Sequence, residues 1–417
     1  MCWIAVLIII GFACRQRDLL SVRNFVLSGG ITFIGASAIN AGLNDFQYTN
    51  YSWGDIAYFI SGAFVFLCTF ILWYRWFKLP QKLGKRLLRS WPPMSISIVA
   101  FLAVIAGIFG MMAIFQLPIP GVGPLMGIIG TKSAIISLAL SFTLWYKHKN
   151  NPILFTLFAT CFIFASLVAL SSGTGRRSLV GVLAVFPIVM YWMKYRYYEG
   201  KKVLPLMGIV SVCGLIIIAG YTGFRHQVRG SNIAYSSPVH LAFDRFAKLP
   251  QAIVSSDIWG AQFFEFLGQN TADASLLAIH LHTREVPTAP FHSIIFFVTN
   301  PVPRVLWTEK PKGYGYLLPQ EIYKLRRSRA TWGPGIVGHS FHEGGLHMCI
   351  FYGILFASVF RFFDELLVQQ PGNPFLAGML AAASGDLAGL LRGDIGTFSV
   401  QIVAAVLAGL LIAFIGK

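Results

Sequence analysis

Apolar residues occur along this chain in long, nearly uninterrupted runs that polar and basic segments separate. Most runs approach the length of about 20 residues that an α-helix needs to cross a bilayer. The ten-residue alternation of a transmembrane β-strand does not occur. The pattern therefore predicts an all-α polytopic membrane protein of about eleven transmembrane helices. The expected helices are near 2–14, 25–41, 56–74, 96–117, 124–146, 152–171, 179–193, 203–221, 347–363, 375–391 and 396–416.

The composition indicates that lipid surrounds most of the chain. Hydrophobic residues make up 56% of the 417 residues and charged residues 12%, whereas soluble proteins have about 25% charged residues. We assign the net charge of +17 to basic loops that set membrane orientation, rather than to nucleic-acid binding. The six cysteines show no CxxC spacing, so we expect neither a disulfide framework nor a metal site.

Basic residues cluster in alternate loops, and cytoplasmic loops carry the excess of Lys and Arg in membrane proteins. The loop 75–89 carries six of them, whereas 42–54 and 118–123 carry none. This alternation predicts that 172–178 and the turn near 392–395 face outward, together with the N-terminus and the long segment 222–346. The predicted location is the bacterial inner (cytoplasmic) membrane.

The segment 222–346 is the longest connection, between the eighth and ninth predicted helices. It is rich in Pro, Gly and aromatic residues, and its aromatic content argues against disorder. We expect it to fold as an extracytoplasmic cap over the bundle. The chain then divides into helices 1 to 8 (1–221), the cap (222–346) and helices 9 to 11 (347–417).

Several basic residues lie on the predicted outer side, next to glycines, prolines or aromatics. Arg304 lies in a proline-rich stretch with Trp307 nearby. Arginine binds phosphate through two parallel hydrogen bonds, so this combination predicts a site for a diphosphate attached to a sugar. The alternatives are anchoring at the membrane interface for Arg176, Arg177 and Arg225, a solvated loop with fortuitous charges for Arg304, and an internal ion pair that only fixes helix packing for Arg392. The predicted binding residues are Arg176, Arg177, Arg225, Arg304, Trp307, Lys310 and Arg392.

The candidate catalytic residues are His342, Glu343 and Asp386. His342 and Glu343 could form an acid–base pair, although such residues also cap or pack. Asp386 lies within an apolar run, and ionisable groups at membrane depth normally face a cavity or a partner. It is six residues from Arg392, which is unfavourable for an intrahelical pair, so we expect its partners on other helices. The histidines of 339–347 lack metal-binding spacing, which predicts no metal.

The block Pro303–Pro311, followed by Gly333–Gly338 and a Gly-Gly pair before a helix, resembles the oligosaccharide repeat-unit polymerases of the O-antigen polymerase (Wzy) family. The turns Gly173–Arg177 and Arg392–Asp394 fit the same pattern. The resemblance implies a GT-C-like bundle and a metal-independent glycosyltransferase without a cofactor. Such an enzyme joins polyprenyl-diphosphate-linked oligosaccharide repeat units into a surface polysaccharide at the outer leaflet. The implied partners are this lipid-linked oligosaccharide, membrane lipid and a chain-length regulator protein, with no nucleic acid.

Three other functions stay open on the sequence. An O-antigen ligase, which passes glycan to a lipid core, would share the carrier and the arginines. A transporter of lipid-linked sugars should show internal repeats and a charged cavity that reaches both leaflets. The charged groups gather instead on one predicted side, and no repeat is visible. A structural partner without chemistry of its own would tolerate the loss of single outer arginines.

Overall fold

The computed structural model describes residues 17–39, 51–88, 91, 95–115, 123–171, 176–198, 271–282, 286–322 and 331–417, with scattered positions between 203 and 250. Most of these residues are helical, and no β-strand occurs among them. The helices are α1 (Val22–Ile39), α2 (Trp53–Trp76), α3 (Leu79–Leu88), α4 (Ile96–Phe115), α5 (Gly123–Lys147), α6 (Pro152–Ser171), α7 (Arg176–Met193), α8 (Thr271–His282), α9 (His292–Thr299), α10 (Tyr314–Leu317), α11 (Gly335–Glu343), α12 (Leu346–Gln369), α13 (Pro374–Gly389) and α14 (Ile395–Ile415).

Among the described residues, eight helices are long and apolar enough to cross a bilayer: α1, α2, α4, α5, α6, α7, α12 and α14. The prediction of a helical multi-pass membrane protein is therefore confirmed. The total of eleven stays a prediction. The expected helix 375–391 is present as α13, with 16 residues, whereas 2–14 and most of 203–221 lie outside the described residues.

Helix α13 lies at the centre of the bundle, where α1, α5, α7 and α14 surround it. Almost every residue of α13 is buried. Its sequence is rich in Ala, Gly and Ser, and small residues allow membrane helices to approach closely. At Gly385, for example, an added Cβ would lie 2.4 Å from the carbonyl oxygen of Arg177. This contact holds the first turn of α7 against α13.

The outer helices expose large apolar side chains, such as Phe101 on α4, Ile163 on α6 and Leu407 on α14. Exposed apolar area of this extent is unfavourable in water and favourable in lipid. The exterior therefore agrees with the membrane-embedded character that the helix lengths indicate.

The start of α7 and the link between α13 and α14 lie at one end of the bundle, which we call the pocket end. The last turns of α2 and α5 carry Arg75 and Lys147 at the opposite end. At that basic end, the carboxylate of Asp364 accepts hydrogen bonds from the backbone N–H groups of Val22 (2.7 Å) and Arg23 (3.1 Å). Asp364 thereby satisfies two of the free donors that begin α1.

The described part of 222–346 contains α8, α9, α10 and α11. Helices α8 and α11 pack against each other and against α2, and α11 also contacts α12. Every residue of α11 is buried. These two helices are thus built into the pocket end of the bundle. A cap that covers the bundle mouth stays a prediction for the rest of the segment.

Candidate functional site

A cavity of about 910 Å³ opens at the pocket end. Segments that are distant in the sequence form its walls: the start of α7, α8, α9, the loop around 312–316, the stretch 331–333 and the α13–α14 link. Its charged lining residues are Arg177, Arg304, Lys312, Arg392 and Asp394. Among the described residues that line it, four cations face one carboxylate, which favours anions. We call this site the cationic cavity.

Aromatic side chains complete the lining: Phe296, Tyr316, Trp332 and Phe398. The guanidinium of Arg177 lies 4.4 Å from the ring centre of Phe398, and the ammonium of Lys312 lies 5.2 Å from that of Tyr316. Cation–π contacts of this kind hold the charged groups in place while leaving their polar edges available. The cavity therefore offers both cations and flat apolar surfaces to a ligand.

Closely packed loops form the floor of the cavity. The carboxylate of Asp394 accepts a hydrogen bond from the N–H of Gly315 at 2.8 Å, and the carbonyl oxygen of Gly315 accepts one from the N–H of Trp332 at 2.8 Å. An added Cβ at Gly333 would lie 2.4 Å from the carbonyl oxygen of Arg392. Glycine is needed at such points because the backbones touch.

Asp386 lies beneath the cavity between two cations. Its Oδ1 accepts a hydrogen bond from Arg177 Nη1 at 3.2 Å, and its Oδ2 pairs with Lys132 Nζ. Lys132 Nζ also donates to the carbonyl oxygen of Ala382 at 2.8 Å. The prediction that Asp386 finds its partners on other helices is confirmed, since they lie on α5 and α7.

This triad of Lys132, Arg177 and Asp386 carries one excess positive charge, and Asp386 and Lys132 are almost fully buried. The side chain of Arg177 is 26% exposed and lines the cavity. Because Asp386 is fully buried and does not line the cavity, it orients Arg177 and does not reach a substrate as a base. Lys132 was not among the residues predicted from the sequence. The available signal was a lysine within an apolar run, which normally indicates a buried partner.

Among the predicted binding residues, Arg177, Arg304 and Arg392 line the same cavity. They come from the start of α7, the loop after α9 and the α13–α14 link. The remaining described candidates do not line it: Arg176, Trp307 and Lys310. Arg225 lies outside the described residues.

Lys310 holds its own loop together. Its Nζ donates to the carbonyl oxygens of Asn300 (2.5 Å) and Val302 (2.9 Å). Burial lowers the pKa of Lys310, and the nearby charge of Arg304 lowers it further. Arg304 in turn donates to the carbonyl oxygens of Lys310 (2.9 Å) and Pro311 (3.2 Å). Lys310 is therefore a loop-stabilising residue, and Arg304 is the cation that this loop presents to the cavity.

The aromatic partner also differs from the prediction. Trp307 is exposed and does not line the cavity, whereas Trp332 does. Both tryptophans lie in glycine- or proline-rich stretches. The hydrogen bond from the Trp332 N–H to Gly315 and the packing of Trp332 against the Leu277–Tyr314 cluster help place Trp332 at the site.

Glu343 is buried within a network that joins four helices. Its carboxylate accepts hydrogen bonds from the N–H (3.0 Å) and the hydroxyl of Ser293, and from the Tyr352 hydroxyl at 2.6 Å. His339 lies 2.8 Å from the Ser293 hydroxyl through Nδ1, while its Nε2 accepts from the N–H of Ile395 at 3.3 Å. Nδ1 therefore carries the proton and donates to Ser293. The network ties α9, α11, α12 and α14 together, and Glu343 does not line the cavity.

His342 lies in a second buried cluster, off the cavity lining. Its ring stacks on Tyr314 with centres 3.9 Å apart, and its Nδ1 lies 2.9 Å from Nε2 of His282. Burial lowers the pKa of His342 to about 2, with further contributions from His282 and His292. The ring is a neutral packing group, so the structure does not support His342 as a base that reaches the cavity.

This burial predicts an acid-sensitive fold. Below the ordinary pKa of 6.5 the unfolded chain protonates His342, whereas the folded protein does not until about pH 2. The unfolded state thus binds more protons in this window, and stability falls as the pH falls, by about 1.4 kcal/mol per unit for one group. The variant His342→Phe keeps the ring stack and should lose this contribution when thermal unfolding in detergent is compared at about pH 6 and about pH 5.

The matched control is His148→Phe, at an exposed histidine in the turn after α5. Its unfolding temperature should change between pH values of about 6 and about 5 by as much as that of the wild type does. Some acid sensitivity should persist in His342→Phe, because burial also lowers the pKa values of His282 and His339. If the stability of His342→Phe changed with pH as strongly as that of the wild type, His342 would be charged or accessible in the folded protein.

Comparison of the chain with protein-family models, curated proteins and solved structures found no match. Function is therefore argued from the site. A cationic, aromatic-lined cavity at the end of a membrane bundle suits a ligand with anionic groups, since arginine pairs with phosphate oxygens.

Proposed function

We propose that the protein is a membrane glycosyltransferase that polymerises polyprenyl-diphosphate-linked oligosaccharide repeat units at the outer leaflet of a bacterial inner membrane. One observation carries the proposal: Arg177, Arg304 and Arg392 surround a single cavity with aromatic walls. The arginines can pair with the diphosphate, and the aromatic rings can stack on the sugar faces. The surrounding lipid can hold the polyprenyl chain. The resemblance of the Pro303–Pro311 block to repeat-unit polymerases supports the same function.

In this proposal a hydroxyl group of the next lipid-linked unit attacks the anomeric carbon of the growing glycan. The bond between that carbon and the diphosphate oxygen breaks, and the polyprenyl diphosphate departs with the electron pair. Negative charge therefore develops on the diphosphate in the transition state. Cations held in position before the reaction stabilise such charge most effectively, because they need little reorganisation. Asp386 and Phe398 hold Arg177 in this way.

The attacking hydroxyl must also lose its proton. Among the described lining residues, Asp394 supplies a carboxylate. Each of its oxygens accepts one backbone hydrogen bond, from Thr397 (2.8 Å) and from Gly315 (2.8 Å). A carboxylate oxygen has two acceptor positions, so each oxygen keeps one for a substrate hydroxyl. We assign proton acceptance to Asp394, because His342, Glu343 and Asp386 do not line the cavity.

The decisive test compares two adjacent arginines. Arg177 lines the cavity, whereas Arg176 does not. In a strain that lacks the wild-type gene, Arg177→Ala should leave only single repeat units on the surface glycolipid, while Arg176→Ala should keep long chains. Removing one donor that stabilises transition-state charge typically costs about 10²–10³ in rate. The measurement is the length distribution of the surface polysaccharide, with the amounts of both variants in the membrane matched.

The other arginines of the lining extend the test. Arg304→Ala and Arg392→Ala should behave like Arg177→Ala. If long chains form but stay on the carrier lipid when the gene is deleted, the protein is a ligase and not a polymerase. Normal chain lengths in all three well-expressed variants would show that the arginines are structural, and the proposed function would be wrong.

A further inference from the structure

An apolar surface lies on the outside of the cavity wall, on helix α9 and the turn that follows it. Ile295 and Val298 are exposed and three residues apart on α9, so they lie on one face of the helix. Phe291, the residue before α9, is exposed as well. In the turn that follows α9, Val305 and Leu306 are 70% and 79% exposed. We call these five residues and Trp307 the apolar wedge.

The opposite face of α9 is anchored in the bundle. Phe296 lines the cationic cavity and packs so tightly on the start of α14 that a Cβ at Gly396 would lie 2.4 Å from its ring. Just before α9 begins, the ring of Phe291 lies against the ring of Phe351 on α12, with ring centres 5.5 Å apart. The residue before Phe351, Ile350, is itself exposed. The wedge therefore adjoins α12, a helix that exposes further apolar side chains such as Val359, and lies beside the first turn of α14.

Length excludes a spanning role for α9. Its eight residues extend about 12 Å at a rise of 1.5 Å per residue, well short of the roughly 30 Å hydrocarbon core. The residues after α9 are of types that are common at the boundary between lipid and water. Trp307 lies in the wedge itself, and the cavity-lining cations Arg304 and Lys312 lie before and after it in the chain. Tryptophan and basic side chains are enriched at membrane interfaces.

We propose that the apolar wedge is inserted among the lipid chains of the bilayer and forms a membrane-embedded wall of the cationic cavity. The occupant of this surface is the acyl-chain region near the head groups. Burial in lipid removes the cost of exposing six apolar side chains to water. One helix then separates lipid on its outer face from the cavity on its inner face, so the cavity lies at head-group depth. This proposal is independent of the proposed function.

The test is spin labelling of single cysteines, in a background whose native cysteines are replaced and which keeps the wild-type unfolding temperature. Labels are placed at Val298 and Leu306 in vesicles of phosphatidylethanolamine and phosphatidylglycerol. Collision with oxygen, which concentrates in lipid, is compared with collision with a water-soluble nickel chelate. We expect oxygen collision to exceed nickel collision several-fold at both positions.

Two controls calibrate the result. Leu407, exposed on α14, should show the lipid pattern, and Glu309, exposed three residues after Leu306, should show more nickel collision than Leu306. High nickel collision at Val298 and Leu306 would place the wedge in water and overturn the proposal. Low collision with both reagents would show that protein covers the wedge, which would overturn it as well. Neither result changes the polysaccharide-length test, so the two proposals fail separately.

Discussion

Asp386→Ala should lower the free energy of unfolding by roughly 3–5 kcal/mol, the usual cost of breaking a buried ion pair by removing one partner. The substitution leaves Lys132, which is almost fully buried, without its counter-charge. Arg177 loses the same partner. We expect little folded protein in the membrane, and a large decrease in unfolding temperature for the part that can be purified in detergent.

A paired substitution distinguishes charge from shape. Lys132→Met combined with Asp386→Leu replaces the buried pair by apolar side chains of similar volume, which is often neutral or stabilising. The double variant should therefore recover most of the stability that Asp386→Ala loses. It should not recover long-chain polysaccharide, because Arg177 still lacks the carboxylate that orients it. If Asp386→Ala were as stable as the wild type, the triad would contribute nothing to folding.

Gly385→Ala should produce the second large effect. An added Cβ would lie 2.4 Å from the carbonyl oxygen of Arg177 and 2.9 Å from its Cα. These are backbone atoms, which cannot turn aside as a flexible side chain can, so α7 must move away from α13. Overpacking of this kind typically costs about 1–3 kcal/mol. The shift also displaces Arg177 at the cavity, so both thermal stability and polysaccharide length should decrease.

Gly127→Ala is the matched control, because it is also a helical glycine and an added Cβ there meets nothing within 4 Å. It should be neutral, or stabilising by up to about 1 kcal/mol through helix propensity. Equal stabilities of the two variants would mean that α7 and α13 are farther apart than the structure has them.

Arg177 connects these two predictions with the proposed function. Its backbone packs on Gly385, its guanidinium pairs with Asp386, and its side chain lines the cavity. The same contacts that pack α7 against α13 therefore also position a cation for an anionic substrate. A loss of polysaccharide is informative about the site only when stability is measured on the same variant. Arg177→Ala, which removes the cation and keeps Gly385, separates the two effects.

The sequence by itself determined the helical class and the positions of most described spans. These are local properties, because an apolar run must satisfy its backbone hydrogen bonds within itself once lipid surrounds it. It also indicated Arg177, Arg304 and Arg392, since basic residues next to glycines or aromatics on the less basic side of a membrane protein are unusual.

Only the tertiary structure decided which residues meet. Lys132 and Asp386 are far apart in the chain, and their pairing follows from how α5 and α13 pack. Trp307 and Trp332 lie in similar glycine- or proline-rich sequence stretches, but of the two only Trp332 lines the cavity. His342 has the chemistry of a base, yet its ring is buried against Tyr314. The residue type sets the chemistry that a side chain can perform. Its burial and its partners determine which role it has, and both depend on how distant helices pack.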